Sequence, residues 1–131
     1  YNIEDVVEFL GVREDIPELL ASNDIYVMAS HWEGLSMSLI EALASGIPIV
    51  ATDAGSNSEI VENGISGIIV PIKNPVALAE ALFQLISNYE LRQKFSMNAV
   101  ESSKRFSIQT CVEKHLELYQ DILSGCISRN T

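Results

Sequence analysis

The chain has 131 residues, 47% of them apolar, and carries 18 Asp and Glu against 8 Lys and Arg, a formal net charge of -10. That length supports one domain with a real core, and the acidic balance argues against a face that neutralises nucleic-acid phosphates or holds an anionic membrane surface. No apolar run approaches the roughly 20 residues of a membrane helix and Tyr1-Asn2-Ile3-Glu4-Asp5 lacks a signal pattern, so the expected place is cytoplasmic, at most peripheral to a membrane.

Short apolar runs recur at residues 6–10, 25–29, 47–51 and 67–70, as strands buried on both faces require. Helix signals lie between them. Asp15 and Glu18 have capping-box spacing ahead of Leu19 and Leu20. Leu39, Ile40, Leu43 and Ala44 form an apolar stripe, and Gly46 followed by Pro48 ends that helix before a strand opens at Ile47. The expected order is β-α-β-α-β-α-β, which calls for parallel pairing in an open, Rossmann-like α/β sheet with helices on both faces.

Beyond Val70 the pattern turns helical. Asn74-Pro75 reads as a cap and first turn, with Leu78, Leu82, Leu85 and Tyr89 at helical spacing. Ser107 reads as the cap of a last helix whose Val112, Leu116, Tyr119 and Leu123 share a face suited to packing or self-association. The domain is expected over residues 1–123, with a frayed tail at 124–131. Cys111 and Cys126 stand fifteen residues apart in that C-terminal stretch, about 22 Å along a helix, and are expected as reduced thiols. The first strand falls within a few residues of the start, and central strands need neighbours on both edges; the sequence therefore reads as an excised piece of a longer one.

In open parallel sheets ligands bind beyond the carboxyl ends of the strands, which directs attention to Ser30-His31-Trp32-Glu33-Gly34-Leu35-Ser36-Met37-Ser38-Leu39-Ile40-Glu41. Gly34 permits close backbone approach, and the free amides of a first helical turn attract an anion such as a diphosphate. Glu33 and Glu41 would repel that anion unless they face its uncharged parts, and they suit sugar and ribose hydroxyls. Physics alone equally allows Glu41 to share a solvated stripe with Ser38 and Ser45. His31 and Trp32 stand at no nucleophile motif and are expected to pack. Asp53 and Glu59 follow the third strand, Glu59 as a cap. No Asp-x-Asp or His/Cys ligand spacing occurs, so neither a metal nor a cofactor is expected.

Three stretches carry a resemblance: Glu33-Gly34-Leu35 through Glu41-Ala42, Ala44-Ser45-Gly46-Ile47-Pro48-Ile49-Val50-Ala51-Thr52-Asp53, and Glu59-Ile60-Val61-Glu62-Asn63-Gly64 with Gly67 and Val70-Pro71. Together they resemble the C-terminal, donor-binding domain of the family 4 retaining glycosyltransferases of GT-B type. The resemblance implies a nucleotide diphosphate sugar as donor and metal-free transfer to an acceptor hydroxyl. It puts Glu33 at the donor sugar as the catalytic residue. The amides of Gly34, Leu35, Ser36, Met37 and Ser38 would meet the diphosphate, and Glu41 the ribose. Val12 and Arg13, after Gly11, would lie by the base.

Ser56 departs from the pattern, in which a second glycine often follows Gly55. The basic residues that usually meet the diphosphate, and the domain that binds the acceptor glycan, lipid or protein, are expected to precede Tyr1. Two rivals share the sheet: a GT-B-like nucleotide-sugar epimerase and a non-catalytic interaction module.

Overall fold

The computed structural model describes residues 3–125. The chain runs through helix α1 (Ile16–Ala21), strand β1 (Tyr26–Met28), helix α2 (Met37–Ser45), strand β2 (Ile49–Thr52), helix α3 (Asn57–Ile60) and strand β3 (Gly67–Val70). Helices α4 (Pro75–Ser87) and α5 (Tyr89–Ser103), a 3-10 turn (Lys104–Phe106) and helix α6 (Ile108–Leu123) follow. The three strands form one parallel sheet in the order β1-β2-β3, with Val27 opposite Val50 and Val50 opposite Ile68.

Every residue of the central strand β2 is buried. Because successive side chains on a strand point to opposite faces, Ile49 and Ala51 join Leu39, Ala42, Leu43, Ile60 and Ala99 on one face. Val50 joins Val70, Ala81, Leu85 and Phe95 on the other. Helix α5 contributes Ala99 to one cluster and Phe95 to the other, so it locks α2 and α4 around the sheet. Full burial of each large side chain in these clusters is worth about 1.5–3 kcal/mol. The close approach of β2 to β3 needs Gly67, where a Cβ would lie 2.6 Å from the Ile49 carbonyl oxygen.

The α/β class stands, but the strand-first order does not. Residues 6–10 form no strand: Val6 and Phe9 are 81% and 95% exposed. An apolar run becomes a strand only where a neighbouring ladder takes its N–H and C=O groups, and among the described residues nothing pairs with this stretch. The strands at 25–29 and 47–51 are shorter or shifted, to Tyr26–Met28 and Ile49–Thr52.

Two local expectations are also corrected. Asp15 occupies the cap position of α1 but caps no amide. Its carboxylate is taken by both arms of the Arg13 guanidinium, with Nε to Oδ1 at 2.7 Å. The forked pair carries charge on both partners and two parallel bonds, where a cap bond would carry charge on one; it holds the Asp15 carboxyl below its ordinary pKa and the Arg13 guanidinium above its own. Tyr89 does not continue the helix of Leu78, Leu82 and Leu85. Asn88 ends α4 in extended backbone and caps α5 through Leu91 N, 2.9 Å from its side chain.

Other signals stand as read. Gly46 closes α2 in the left-handed conformation, φ 72°, Asn74 caps α4 through Ala77 N, and Ser107 caps α6 through Thr110 N. Helix α6 buries no residue, and Val112, Leu116, Tyr119 and Leu123 all face solvent. Cys111 is exposed, whereas Cys126 and most of the 124–131 tail lie outside the described residues.

Candidate functional site

The carboxyl ends of β1 and β2 are tied together by side chains. Buried Thr52, the last residue of β2, donates its hydroxyl to the Ser30 carbonyl oxygen at 2.6 Å. Asn57, fully buried at the start of α3, donates Nδ2 to the Thr52 carbonyl oxygen at 3.0 Å. Ser30 in turn donates its hydroxyl to Glu33 Oε1 at 2.6 Å. A strand end thereby aims the half-buried Glu33 carboxylate, and a charge-assisted bond of this kind fixes one oxygen while the other stays available.

The loop after β2 closes on the loop after β1. Gly55 has φ 56°, and a Cβ on it would stand 1.9 Å from the Glu33 carbonyl oxygen; only glycine fits there. Ser56 donates its hydroxyl, and its amide at 3.4 Å, to the Gly34 carbonyl oxygen. Ser36, buried, caps α2 by accepting from Leu39 N. Among the described residues the amides of Gly34, Leu35, Ser36, Met37 and Ser38 donate to no protein acceptor. Five consecutive unpaired N–H groups at the start of a nine-residue helix sum with its dipole into an anion-binding end.

Glu41 is exposed on α2 and lines an apolar groove with Ala44 and Ser45 of its own helix and Ile16, Pro17 and Leu20 of α1. Glu33 and Glu41 thus stand on two sides of the helix start, one at the strand ends and one in the groove against α1. Val12 is fully exposed. Arg13 is held by Asp15 at the head of the same α1.

The remaining expectations divide. His31 does not pack in the core; it is exposed, in a groove with Ala29, Thr52, Lys73 and Leu78, and Trp32 is 83% exposed. Asp53 is exposed. Glu59 lies in the first turn of α3 without a side-chain cap bond, so it acts there only through charge on the helix dipole. Sequence reasoning did not find Ser30, Thr52 and Asn57 as supports of Glu33. Their bonds join residues twenty or more positions apart for Thr52, and no spacing in the chain signals that.

A parallel α/β sheet with an unpaired helix start beyond its strand ends is a Rossmann-like domain. Comparison with known proteins supplies the family: the family model described as Glycosyl transferases group 1 matches residues 1–102, and the chain belongs to that family. It is 31% identical over 123 residues to N-acetyl-alpha-D-glucosaminyl L-malate synthase of Bacillus anthracis, covering 93% of this chain and 32% of that protein. Among solved structures it is similar to Anabaena HepE in complex with UDP, with a TM-score of 0.85, 30% identity and coverage of 91% and 33%. It is also similar to the C-terminal domain of a glycosyl transferase group 1 protein, LpcC, of Francisella tularensis, with a TM-score of 0.69, 33% identity and coverage of 78% and 53%. The chain spans about a third of the length of the curated relatives it matches. The neighbours are GT-B glycosyltransferases, and the Rossmann-like reading of the fold stands with them.

Proposed function

We propose that the chain is the donor-binding domain of a retaining glycosyltransferase, which transfers a sugar from a nucleotide diphosphate sugar to an acceptor hydroxyl. The observation that carries the reading is the run of five unpaired amides at Gly34 to Ser38, bordered by Glu33 and Glu41. Family membership and the UDP complex of the similar HepE support it.

In this reading the diphosphate sits on the α2 N-terminus. Charge grows on the leaving phosphate as the glycosidic bond breaks, and preorganised amides stabilise it with little reorganisation. No metal takes part. Glu33, oriented by Ser30, is the catalytic residue: it accepts hydroxyls of the donor sugar and steadies positive charge at the anomeric carbon. Glu41 accepts the ribose hydroxyls over the α1–α2 groove, with Val12 and Arg13 toward the base. The acceptor is bound mainly by a further domain of the parent protein, in the cytoplasm. Among the described residues no helix is long and apolar enough to cross a membrane.

The test is a calorimetric titration of the chain with UDP, GDP, ADP and their hexose conjugates. Saturable binding of one nucleotide series is expected; no heat from any of them, with the chain folded, overturns the donor-binding reading.

A further inference from the structure

Ser56 stands where the resembled pattern often has a second glycine, and its side chain does something a glycine cannot. Its hydroxyl and its amide both donate to the Gly34 carbonyl oxygen, while Gly55 is pressed against the carbonyl of Glu33. The carbonyls of Glu33 and Gly34 therefore both face the loop after β2. In a planar trans peptide the C=O of one residue and the N–H of the next point in opposite directions, and no peptide bond among the described residues is cis. The amides of Gly34 and Leu35 are thus turned away from Ser56, outward from the loop, and both are unpaired among the described residues.

We infer that Ser56 is a positioning residue for the donor diphosphate: by clamping the Gly34 carbonyl it presets the Leu35 amide toward the anion. This rests on the donor-binding reading. The clamp lowers the ordering cost that two loop amides incur on binding, so its contribution appears as nucleotide affinity and not as fold stability. Ser56 itself touches no phosphate. It is half-buried, and its hydroxyl hydrogen is committed to Gly34.

The experiment is an amide-detected NMR titration of the wild-type chain, Ser56→Ala and Ser56→Thr with UDP into the millimolar range, together with backbone relaxation of the unliganded proteins. Ser56→Ala is expected to weaken UDP about three- to tenfold, as loss of one hydrogen bond does. The order parameters of Gly34 and Leu35 alone should fall, from about 0.85 toward 0.6. Ser56→Thr, which keeps the hydroxyl, should restore both. UDP affinity in Ser56→Ala within a factor of two of wild type, or unchanged Gly34 and Leu35 dynamics, overturns the inference alone. Absence of any nucleotide binding by the wild-type chain overturns the donor-binding reading and this inference with it.

Discussion

The Ser30 hydroxyl stands 2.6 Å from Glu33 Oε1, and the Ser30 carbonyl in turn accepts from buried Thr52 at 2.6 Å. The carboxylate proposed to meet the donor sugar is therefore fixed to the sheet through two bonds in series. Removing the first should be felt by the sugar and not by the nucleotide. Ser30→Ala is expected to leave UDP affinity within a factor of two and to weaken the matching UDP-hexose about three- to tenfold; equal losses for both ligands would place Ser30 elsewhere in the mechanism.

Glu41 is exposed and makes no side-chain bond to another residue among those described, so its loss should spare the fold. Glu41→Ala is expected to cost about 1.5–3 kcal/mol of nucleotide affinity, the worth of a hydrogen bond to a charged group, with the urea midpoint unchanged. A 2′-deoxy nucleotide should show a loss against wild type and little further loss against the variant. Additive losses would separate Glu41 from the ribose.

Gly55→Ala should damage site and fold together. The left-handed backbone alone costs about 1–2 kcal/mol for alanine, and the added Cβ would stand 1.9 Å from the Glu33 carbonyl oxygen, so the loop bearing Glu33 has to move. Equilibrium unfolding in urea is expected to show that loss or more, and nucleotide binding should fall below detection. A variant as stable as wild type would contradict the close contact.

Asn57 is fully buried and bonds the Thr52 carbonyl through Nδ2, while its Oδ1 has no partner among the described residues. Asn57→Ala leaves that carbonyl without its side-chain donor, at a cost of about 1–3 kcal/mol. Because Thr52 supports Ser30, a fall in UDP-hexose affinity is expected alongside the shift in urea midpoint.

Leu39→Ala tests the core beneath the anion site. Leu39 is fully buried between α2 and the sheet, and truncation there is expected to destabilise the domain by about 2–5 kcal/mol, read by thermal unfolding.

The sequence by itself determined the α/β class, the helix stop at Gly46 and the caps at Asn74 and Ser107, and it singled out the stretch from Glu33 to Glu41 as the candidate site. These are local or periodic signals: a left-handed glycine, an oxygen three residues ahead of an amide, an apolar run between turns, two carboxylates around a helix start. Residues 6–10 look like β2 in composition, yet one is solvent-exposed coil and the other the central strand. The difference is a pair of neighbouring ladders around Ile49–Thr52 and none around Val6 and Phe9, which no local pattern encodes. Asp15 has the spacing of a cap, but Arg13 was the better partner, and only the folded geometry decides between competing acceptors. Tertiary structure likewise decided which groups hold the site: Thr52 on Ser30 and Ser56 on Gly34 join positions twenty-two apart. Such bonds arise because parallel strands bring the ends of separate βα loops together at one edge of the sheet, a juxtaposition made by topology and not by spacing along the chain.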